Sequence, residues 1–381
     1  MNLGAALAVT RGGPGFCLGP EGECHDPVRY LTLALMAVLA VAVGLPAAAA
    51  APAAAATTYT ITDLGSLGGG VTRGLAINAS GQVTGDSVSS QLVQVPCPPQ
   101  KYGQPKKCFT HPDDAFEWSN GTMTDLDTLG GNFSQGVASN GSGEVVGSSS
   151  GKSPGTGGAF LSNSGHGMKP LSAPAEAYGI NDSDQIAGQC RNSMFLQAYP
   201  CVVSSNGAIT ELTDSNPNIE CLYINTIIGP NLPAAVAINN NGQVLGNCFL
   251  NTAVVWTNGT PTVLPILGGG SSSGTAINTN GQVVGTSQTS TGAEDGFLWS
   301  NGTMTDLGSN FSPTAVNGSG VIVGGQFVYS NGTLQNLNNL IPAGSPYQIE
   351  SATGINNNGQ IVANATDTAT GQTHALLLNP S

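Results

Sequence analysis

Short apolar runs separated by turn residues recur along this chain, most clearly between Gly274 and Leu307. The apolar runs are 275–277, 282–285, 296–299 and 304–307. Asn278-x-x-Gly281 separates the first pair of runs, and Asn301-Gly302 separates the last pair. Asparagine and glycine tolerate the left-handed backbone angles of tight hairpins. The pattern therefore predicts a four-stranded antiparallel meander, and no window beyond residue 56 has a helical period.

A motif close to Ala-Ile-Asn-x-x-Gly-Gln-Val-x-Gly occurs in seven such stretches. Its asparagines are Asn78, Asn140, Asn181, Asn239, Asn278, Asn317 and Asn356. The last four of them are 39 residues apart. Four strands in about 40 residues is the size of one propeller blade. The sequence predicts an all-β chain in which residues 57–381 form a single seven-bladed β-propeller; a right-handed β-solenoid is the alternative.

The two ends of the repeat array are complementary. Residues 58–64 resemble the fourth strand of a repeat but precede the first motif, and residues 374–378 resemble a third strand with no fourth after it. The N-terminal strand can therefore complete the last blade and cover its open edge. A second phase, in which residues 58–64 begin the first blade, also fits the pattern.

The repeat resembles the HAF-repeat family of bacterial extracellular proteins, whose pattern contains Asp-Leu-Gly-Thr-Leu-Gly-Gly, Ile-Asn-x-x-Gly-x-Val-Val-Gly and His-Ala-Phe-Leu-Trp. The chain has Asp63–Gly69, Asp125–Gly131 and Gly281–Gly285 at these places, and the likeness runs from Thr62 to Leu378. The family's histidine is kept at His374 and replaced by Asp114, Gly158 and Asp295 in other repeats. The resemblance implies a secreted repeat protein and no particular activity.

The first 56 residues have the composition of a leader. Arg29 precedes an uncharged run from Leu31 to Leu45, and an alanine-rich stretch follows to Ala56. This is the order of a secretory signal peptide at about residues 28–56, with a misassigned start accounting for 1–27. An uncleaved membrane anchor is the alternative, although the apolar run is short. We expect a secreted or periplasmic protein that does not remain in a membrane after cleavage.

Six cysteines follow the leader, and an even number in an exported chain favours disulfides. Their spacing favours the pairs Cys97–Cys108, Cys190–Cys201 and Cys221–Cys248, although six cysteines permit fifteen pairings. No Cys-x-x-Cys pair is present to suggest zinc. The Asn-rich and Asp-rich turns fit the repeated hairpin better than a calcium loop. We predict neither a metal nor a cofactor.

The charge balance limits the partners. Nine lysines and arginines against 22 acids give a formal net charge of −13. Phosphate backbones would be repelled, so a nucleic acid is not expected as a partner. A carbohydrate or another extracellular protein, bound by a monomer, is the expected partner.

Length variation concentrates at one end of the predicted fold. Alternate connections of a meander emerge at opposite ends, and the Asn-Gly hairpins stay short at one of them. The insertions at 86–114, 189–198 and 213–233 all belong to the other end. Variable loops on a rigid scaffold are the usual carriers of function. The candidate ligand-binding residues there are Arg73, Lys101, Tyr102, His111, Asp113, Asp114, Arg191, Tyr199 and Tyr223.

Recurring polar and aromatic positions have structural interpretations. Trp118, Trp256 and Trp299 occupy one repeat position, which favours packing between blades over sugar stacking. The repeated aspartates Asp63 and Asp125 favour bonds to neighbouring backbone over acid catalysis.

Catalytic candidates are few. The histidines that follow the leader lie in different repeats, so the sequence gives no local serine–histidine arrangement. His111 with Asp113 and Asp114 is the best acid–base cluster. We therefore favour a non-catalytic binding or scaffold module that takes its ligand on the insertion-bearing end. A polysaccharide hydrolase or lyase using His111–Asp114, and a structural surface or matrix protein, are the alternatives.

Overall fold

The computed structural model describes residues 57–95, 108–153, 155–163, 167–192, 197–212, 221, 233–248 and 252–381. The leader therefore lies outside the described residues. Residues 56–381 form one compact body. The described residues include no apolar helix of membrane-spanning length.

The described chain is built from antiparallel strands, and the one helical segment is a 3₁₀ turn at Leu337–Asn339. Seven groups of four strands, called units 1 to 7 here, can be traced through the described residues. Unit 1 contains β2 (Gly68–Ile77), β3 (Val83–Ser89), β6 (Asp113–Ser119) and β7 (Thr122–Asp125); unit 2 contains β8 (Gly130–Ser139), β9 (Glu144–Gly151), β10 (Gly157–Asn163) and β11 (Gly167–Pro170). Unit 3 contains β12 (Glu176–Ile180), β13 (Ile186–Asn192), β14 (Gln197–Val203) and β15 (Ile209–Glu211); unit 4 contains β16 (Ala234–Ile238), β17 (Val244–Cys248), β18 (Thr252–Thr257) and β19 (Thr260–Val263). Unit 5 contains β20 (Gly268–Ile277), β21 (Val283–Thr289), β22 (Glu294–Ser300) and β23 (Thr303–Gly308); unit 6 contains β24 (Ala315–Val316), β25 (Ile322–Gly324), β26 (Phe327–Ser330) and β27 (Thr333–Asn336). Unit 7 contains β28 (Tyr347–Ile355), β29 (Ile361–Asp367), β30 (Thr373–Pro380) and the N-terminal β1 (Tyr59–Asp63).

Two features depart from separate four-stranded sheets. A single parallel pairing of Asp113 with Phe133 joins units 1 and 2 into one eight-stranded sheet. A small hairpin of β4 (Val93–Val95) and β5 (Cys108–Thr110) projects from the insertion between β3 and β6.

The N-terminal strand pairs with the C-terminal strand. Register runs from Tyr59 opposite Pro380 to Asp63 opposite Leu376. Of the two phases that the sequence allowed, the structure therefore has the one in which β1 completes the last unit. Tyr59 is buried in a core shared by units 6 and 7, which explains why the strand stays there.

Apolar side chains form one buried cluster between each pair of consecutive units. In one example, Leu245 and Val255 of unit 4 pack with Val283 and Phe297 of unit 5. A comparable cluster joins unit 1 to unit 7, with Phe116 against Leu377. Trp118 and Trp256 are buried in such clusters, and Trp299 packs at the edge of another, as predicted from their shared repeat position. Each unit thus buries its apolar face against its neighbours.

The motif asparagine has a double role that explains its recurrence. In unit 5, Asn278 Oδ1 accepts the backbone N–H groups of Asn280 (3.0 Å) and Gln282 (2.9 Å) and so holds its own turn. Its Nδ2 donates to the carbonyl of Asn317 in unit 6 at 2.8 Å. Equivalent bonds link the motif asparagines onward, including Asn356 of unit 7 to the carbonyl of Asn78 in unit 1 at 3.2 Å. Unit 2 departs, because Asn140 Nδ2 donates to Asp184 Oδ1 instead.

The motif turns of distant repeats meet around one space. A cavity of about 180 Å³ is lined by turn residues of units 1, 4, 5, 6 and 7, among them Ala79, Asn240, Thr279, Gly318 and Asn357. Repeats separated by nearly 280 residues thus converge at this end of the body.

Candidate binding surface

The two ends of the body differ in their connections. At one end lie the motif turns and the short Asn-Gly turns, where Asn120, Asn258, Asn301 and Asn331 have positive φ. At the other end lie the connections between second and third strands and between successive units, because all pairing within a unit is antiparallel. We call this the insertion end.

A cavity of about 660 Å³ opens at the insertion end. It is lined by residues of units 3, 4 and 5. We call it the large cavity. Its polar lining residues are Glu176, Tyr178, Gln189, Arg191, Asn247, Ser271, Ser272, Ser273, Thr286 and Glu294. The volume is in the range of small-molecule and peptide-side-chain sites.

The large cavity lies beside first strands of unequal length. β12 and β16 have five residues each, whereas β20 has ten. Ala234 and Val236 of β16 are among its apolar lining residues.

Three polar side chains of unit 3 line the large cavity without a hydrogen-bond partner among the described residues. Glu176, Tyr178 and Arg191 form no side-chain hydrogen bond or ion pair with any residue in the described ranges. Tyr178 is 38% exposed. Burial raises the pKa of its hydroxyl, the charge of Glu176 raises it further, and Arg191 opposes them. A donor, an acceptor and an aromatic ring are thus available to a ligand at one place.

The facing wall is fixed by internal bonds. Thr286 Oγ1 donates to Glu294 Oε1 at 3.1 Å. Asn247 bonds the backbone of Gly274 in both directions, donating at 3.0 Å and accepting at 2.8 Å. The residues of units 4 and 5 on this wall are held by hydrogen bonds, whereas the three polar side chains of unit 3 are available to a ligand. The cavity is therefore partly preorganised for binding.

Two disulfides lie in this region. Cys190–Cys201 joins β13 to β14, and Cys221–Cys248 ties residue 221 to the end of β17. Both pairings are those that the spacing favoured, and Cys248 also lines the large cavity. The predicted pair Cys97–Cys108 cannot be placed, because Cys97 lies outside the described residues.

The predicted ligand-binding residues do not form one site. Arg191 lines the large cavity, whereas Tyr199 packs against the core between units 2 and 3. Arg73 is committed to an ion pair with the buried Asp86, with Nη1 and Oδ2 2.7 Å apart. Lys101, Tyr102 and Tyr223 lie outside the described residues.

The three residues of the proposed acid–base cluster do not form one hydrogen-bonded group. His111 Nδ1 lies 3.0 Å from the carbonyl oxygen of Ser89, and in the described chain its ring has no hydrogen bond to Asp113 or Asp114. Asp113 and Asp114 are adjacent in β6, so their side chains leave opposite faces of the strand. Asp114 lines a second cavity of about 190 Å³ at this end, called the acidic cavity here, and Asp113 does not.

Asp114 has the strongest electrostatic perturbation among the predicted site residues. It is only 4% exposed, and its Oδ1 has no hydrogen-bond partner. Burial raises the pKa of its carboxyl to about 6, and the charges of Asp125, Asp127 and Asp113 add to the shift, whereas a hydrogen bond with Ser89 lowers it. The side chain thus exchanges a proton near neutral pH.

Asp295 in unit 5 occupies the same repeat position. Its Oδ1 is also buried without a partner, and burial, followed by the charge of Asp306, raises the pKa of its carboxyl. A raised pKa is therefore a property of this repeat position when aspartate fills it.

Sequence reasoning missed Glu176 and Tyr178. Both lie in β12, whose register with β13 shifts between Ala177 and Gly179, and the local sequence pattern gives no signal of function there. Their exposure to a cavity depends on the length of β16 and on the approach of unit 5, which the local pattern does not encode.

No family model matches the chain, and no curated protein matches it. Solved structures to which it is similar include TolB from Acinetobacter baumannii, at 11% identity and a TM-score of 0.40, covering 80% of this chain and 64% of that one. Another is the Pyrococcus horikoshii acylaminoacyl peptidase, at 9% identity and a TM-score of 0.46, covering 81% of this chain and 51% of that one. A third is YCF48 bound to D1 peptide, at 10% identity and a TM-score of 0.46, covering 87% and 97%. The chain thus spans about half to two thirds of the length of the first two.

Proposed function

We propose that residues 57–381 form a seven-bladed β-propeller closed by β1, and that it is an exported binding module. The shared cores support the ring, because each unit packs on the next and unit 7 packs on unit 1. The bond from Thr353 Oγ1 of unit 7 to the carbonyl of Gly74 in unit 1, at 2.9 Å, repeats the bond from Thr314 to Ala352 between units 6 and 7. A closed ring accounts for both.

Membership of the HAF-repeat family and export remain proposals that rest on the motifs and the leader. The two disulfides support export, because such bonds persist in oxidising compartments.

The binding role rests on one observation: uncommitted polar side chains converge on the large cavity. Elsewhere in the repeats, polar side chains such as those of Asn278 and Thr314 form hydrogen bonds between units. Glu176, Tyr178 and Arg191 have no side-chain hydrogen bond or ion pair with any described residue. All three line the cavity of about 660 Å³. Such groups stabilise a fold little, whereas they can bond a carbohydrate or a protein segment.

The test is a binding panel of polysaccharides and extracellular protein extracts with the chain from residue 57 onward. Glu176→Gln, Tyr178→Phe and Arg191→Gln should each weaken retention at least fivefold. Glu211→Gln, on the outer strand β15, is the matched control and should bind as the parent does. Equal retention by all four variants would remove the large cavity from the proposal.

A polysaccharide hydrolase is the second candidate, and the raised pKa of Asp114 beside a cavity is the observation that favours it. Asp295 weakens this candidate, because it has a raised pKa through its repeat position alone. Released sugar ends, measured in the same wells, decide between the two. If sugar ends are released by the parent and not by Asp114→Asn, the protein is an enzyme and the proposal of a non-catalytic binding module is wrong.

A further inference from the structure

One repeat position contains a base in unit 7 and an acid in unit 1. His374 is two residues before Leu376, which pairs with Asp63, and His374 Nδ1 lies 2.9 Å from Asp63 Oδ2. Asp114 is likewise two residues before Phe116, which pairs with Asp125. A carboxyl group therefore stands in unit 1 where unit 7 has an imidazole. The basic member of the pair is missing.

Within the described part of the chain, the surroundings of Asp114 do not replace that base. The described ionisable groups that act on its carboxyl are Asp125 and Asp127 from the following strand and loop, and Asp113 from its own strand, all acidic. Its buried Oδ1 has no donor. An unpaired buried carboxylate oxygen is costly, so the site favours a donor or a positive charge from outside.

Room for such a group exists beside the three carboxyls. Among the described residues, the acidic cavity is lined by Asp114, Asp125 and Asp127 together with Gln91, Val93 and Pro112, and none of these is a lysine, an arginine or a histidine. No trio of His, Cys, Asp or Glu in the described chain has an arrangement suited to a metal ion. The three carboxyls around this cavity can accept charge-assisted hydrogen bonds from a guanidinium or ammonium group.

Exposed apolar side chains flank this cavity. Leu92 is 61% exposed and stands between the lining residues Gln91 and Val93. Phe109, 57% exposed, belongs to the same hairpin, and Phe133, 37% exposed, pairs with Asp113. A free amine would leave these side chains in water, whereas a protein segment would cover them.

We propose that the acidic cavity binds an arginine or lysine side chain of a partner protein, with apolar residues beside it covering Leu92, Phe109 and Phe133. The inference rests on the proposed binding role of the insertion end and adds the chemistry of one partner. Guanidinium and ammonium groups donate charge-assisted hydrogen bonds to carboxylates, and the net charge of −13 favours the approach of a basic segment.

The experiment uses fluorescent peptides with a central arginine between leucine or phenylalanine residues, and the same peptides with glutamine at the centre. Polarisation should show at least tenfold tighter binding of the arginine peptides, weakened by added salt. Asp114→Asn and Asp125→Asn should each lose at least tenfold in affinity. Asp114→His should lose at least tenfold in affinity as well, because the imidazole removes one carboxyl and supplies a base at the place where the arginine would bind. Leu92→Ser should lose severalfold.

Controls separate this site from the large cavity. Asp295→Asn changes the same repeat position in unit 5 and should leave peptide affinity unchanged, as should Glu211→Gln on the outer strand β15. Equal binding of arginine and glutamine peptides, or full binding by both Asp114 variants, would overturn the inference. Agmatine binding as tightly as the peptides would overturn the protein partner. Polysaccharide retention that depends on Glu176, without any peptide binding, would leave the proposed function standing and the inference wrong.

Discussion

At the scale of single residues, the raised pKa of one carboxyl defines how stability should depend on pH. The raised pKa of Asp295 means that the folded state holds this proton more tightly than the unfolded chain does. The resulting stabilisation is present below the unfolded pKa and is lost as the pH rises through the folded value. Asp295→Asn should therefore melt like the parent near pH 4 and at a higher temperature at pH 7. Thermal melts between pH 4 and 8, with Glu211→Gln as control, measure this. A difference that is the same at every pH would contradict it.

The motif asparagine gives a second prediction at this scale. Asn278 is 5% exposed and bonds both its own turn and unit 6. Asn278→Ala leaves several polar groups without partners, so the free energy of unfolding should fall by about 2 kcal/mol. Thr279→Ala changes an exposed neighbour in the same turn and should cost far less. Urea denaturation of both variants tests the contrast, and equal losses would show that the bond between units adds nothing.

Single residues also show what local sequence can reveal. Gly65 N donates to Asp63 Oδ1 at 2.9 Å, and Asp127 N donates to Asp125 Oδ1 at 2.8 Å, as predicted for these repeated aspartates. These contacts span two residues, so the local pattern contains them. The proximity of Asp114 to Asp125 depends instead on strand register, in which Phe116 pairs with Asp125, and the sequence analysis did not place these two carboxyls together.

At the scale of elements, strand number and turn positions followed from the sequence, whereas strand length did not. The pattern of the motif turns marks where β20 and β21 meet. It does not show that β16 begins only at Ala234, because that depends on the preceding insertion and on packing against unit 3. The large cavity lies beside that short strand. The insertion end, where we propose binding, was therefore predictable as a location, whereas Glu176 and Tyr178 as lining residues of the cavity were not.

The disulfide within unit 3 gives a prediction at the same scale. Cys190–Cys201 closes a loop across β13 and β14 with a sequence separation of 11. Replacing both cysteines by alanine releases that loop in the unfolded chain and should cost about 2–4 kcal/mol. Chemical denaturation of the double variant without reductant measures the cost. Reductant should lower the stability of the parent more than that of the variant, and an equal response would show that this disulfide contributes nothing.

At the scale of the whole molecule, the proposed closure of the ring depends on a strand that is remote in sequence from its partners. β1 hydrogen-bonds to β30, buries Tyr59 against units 6 and 7, and places Asp63 against both His374 and Tyr347, whose hydroxyl donates to Asp63 Oδ2 at 2.7 Å. A chain that begins at residue 64 lacks all of these contacts and exposes the edge of β30, which favours association between copies. We expect a fall in melting temperature of more than 10 °C relative to a chain that begins at residue 57, together with concentration-dependent association. Melting and light scattering of the two chains test this. The double variant Tyr59→Ala/Ile61→Ala keeps the strand but removes its burial, and it should fall between them. A chain beginning at residue 64 that stays monomeric and melts with the longer one would show that β1 does not close the ring.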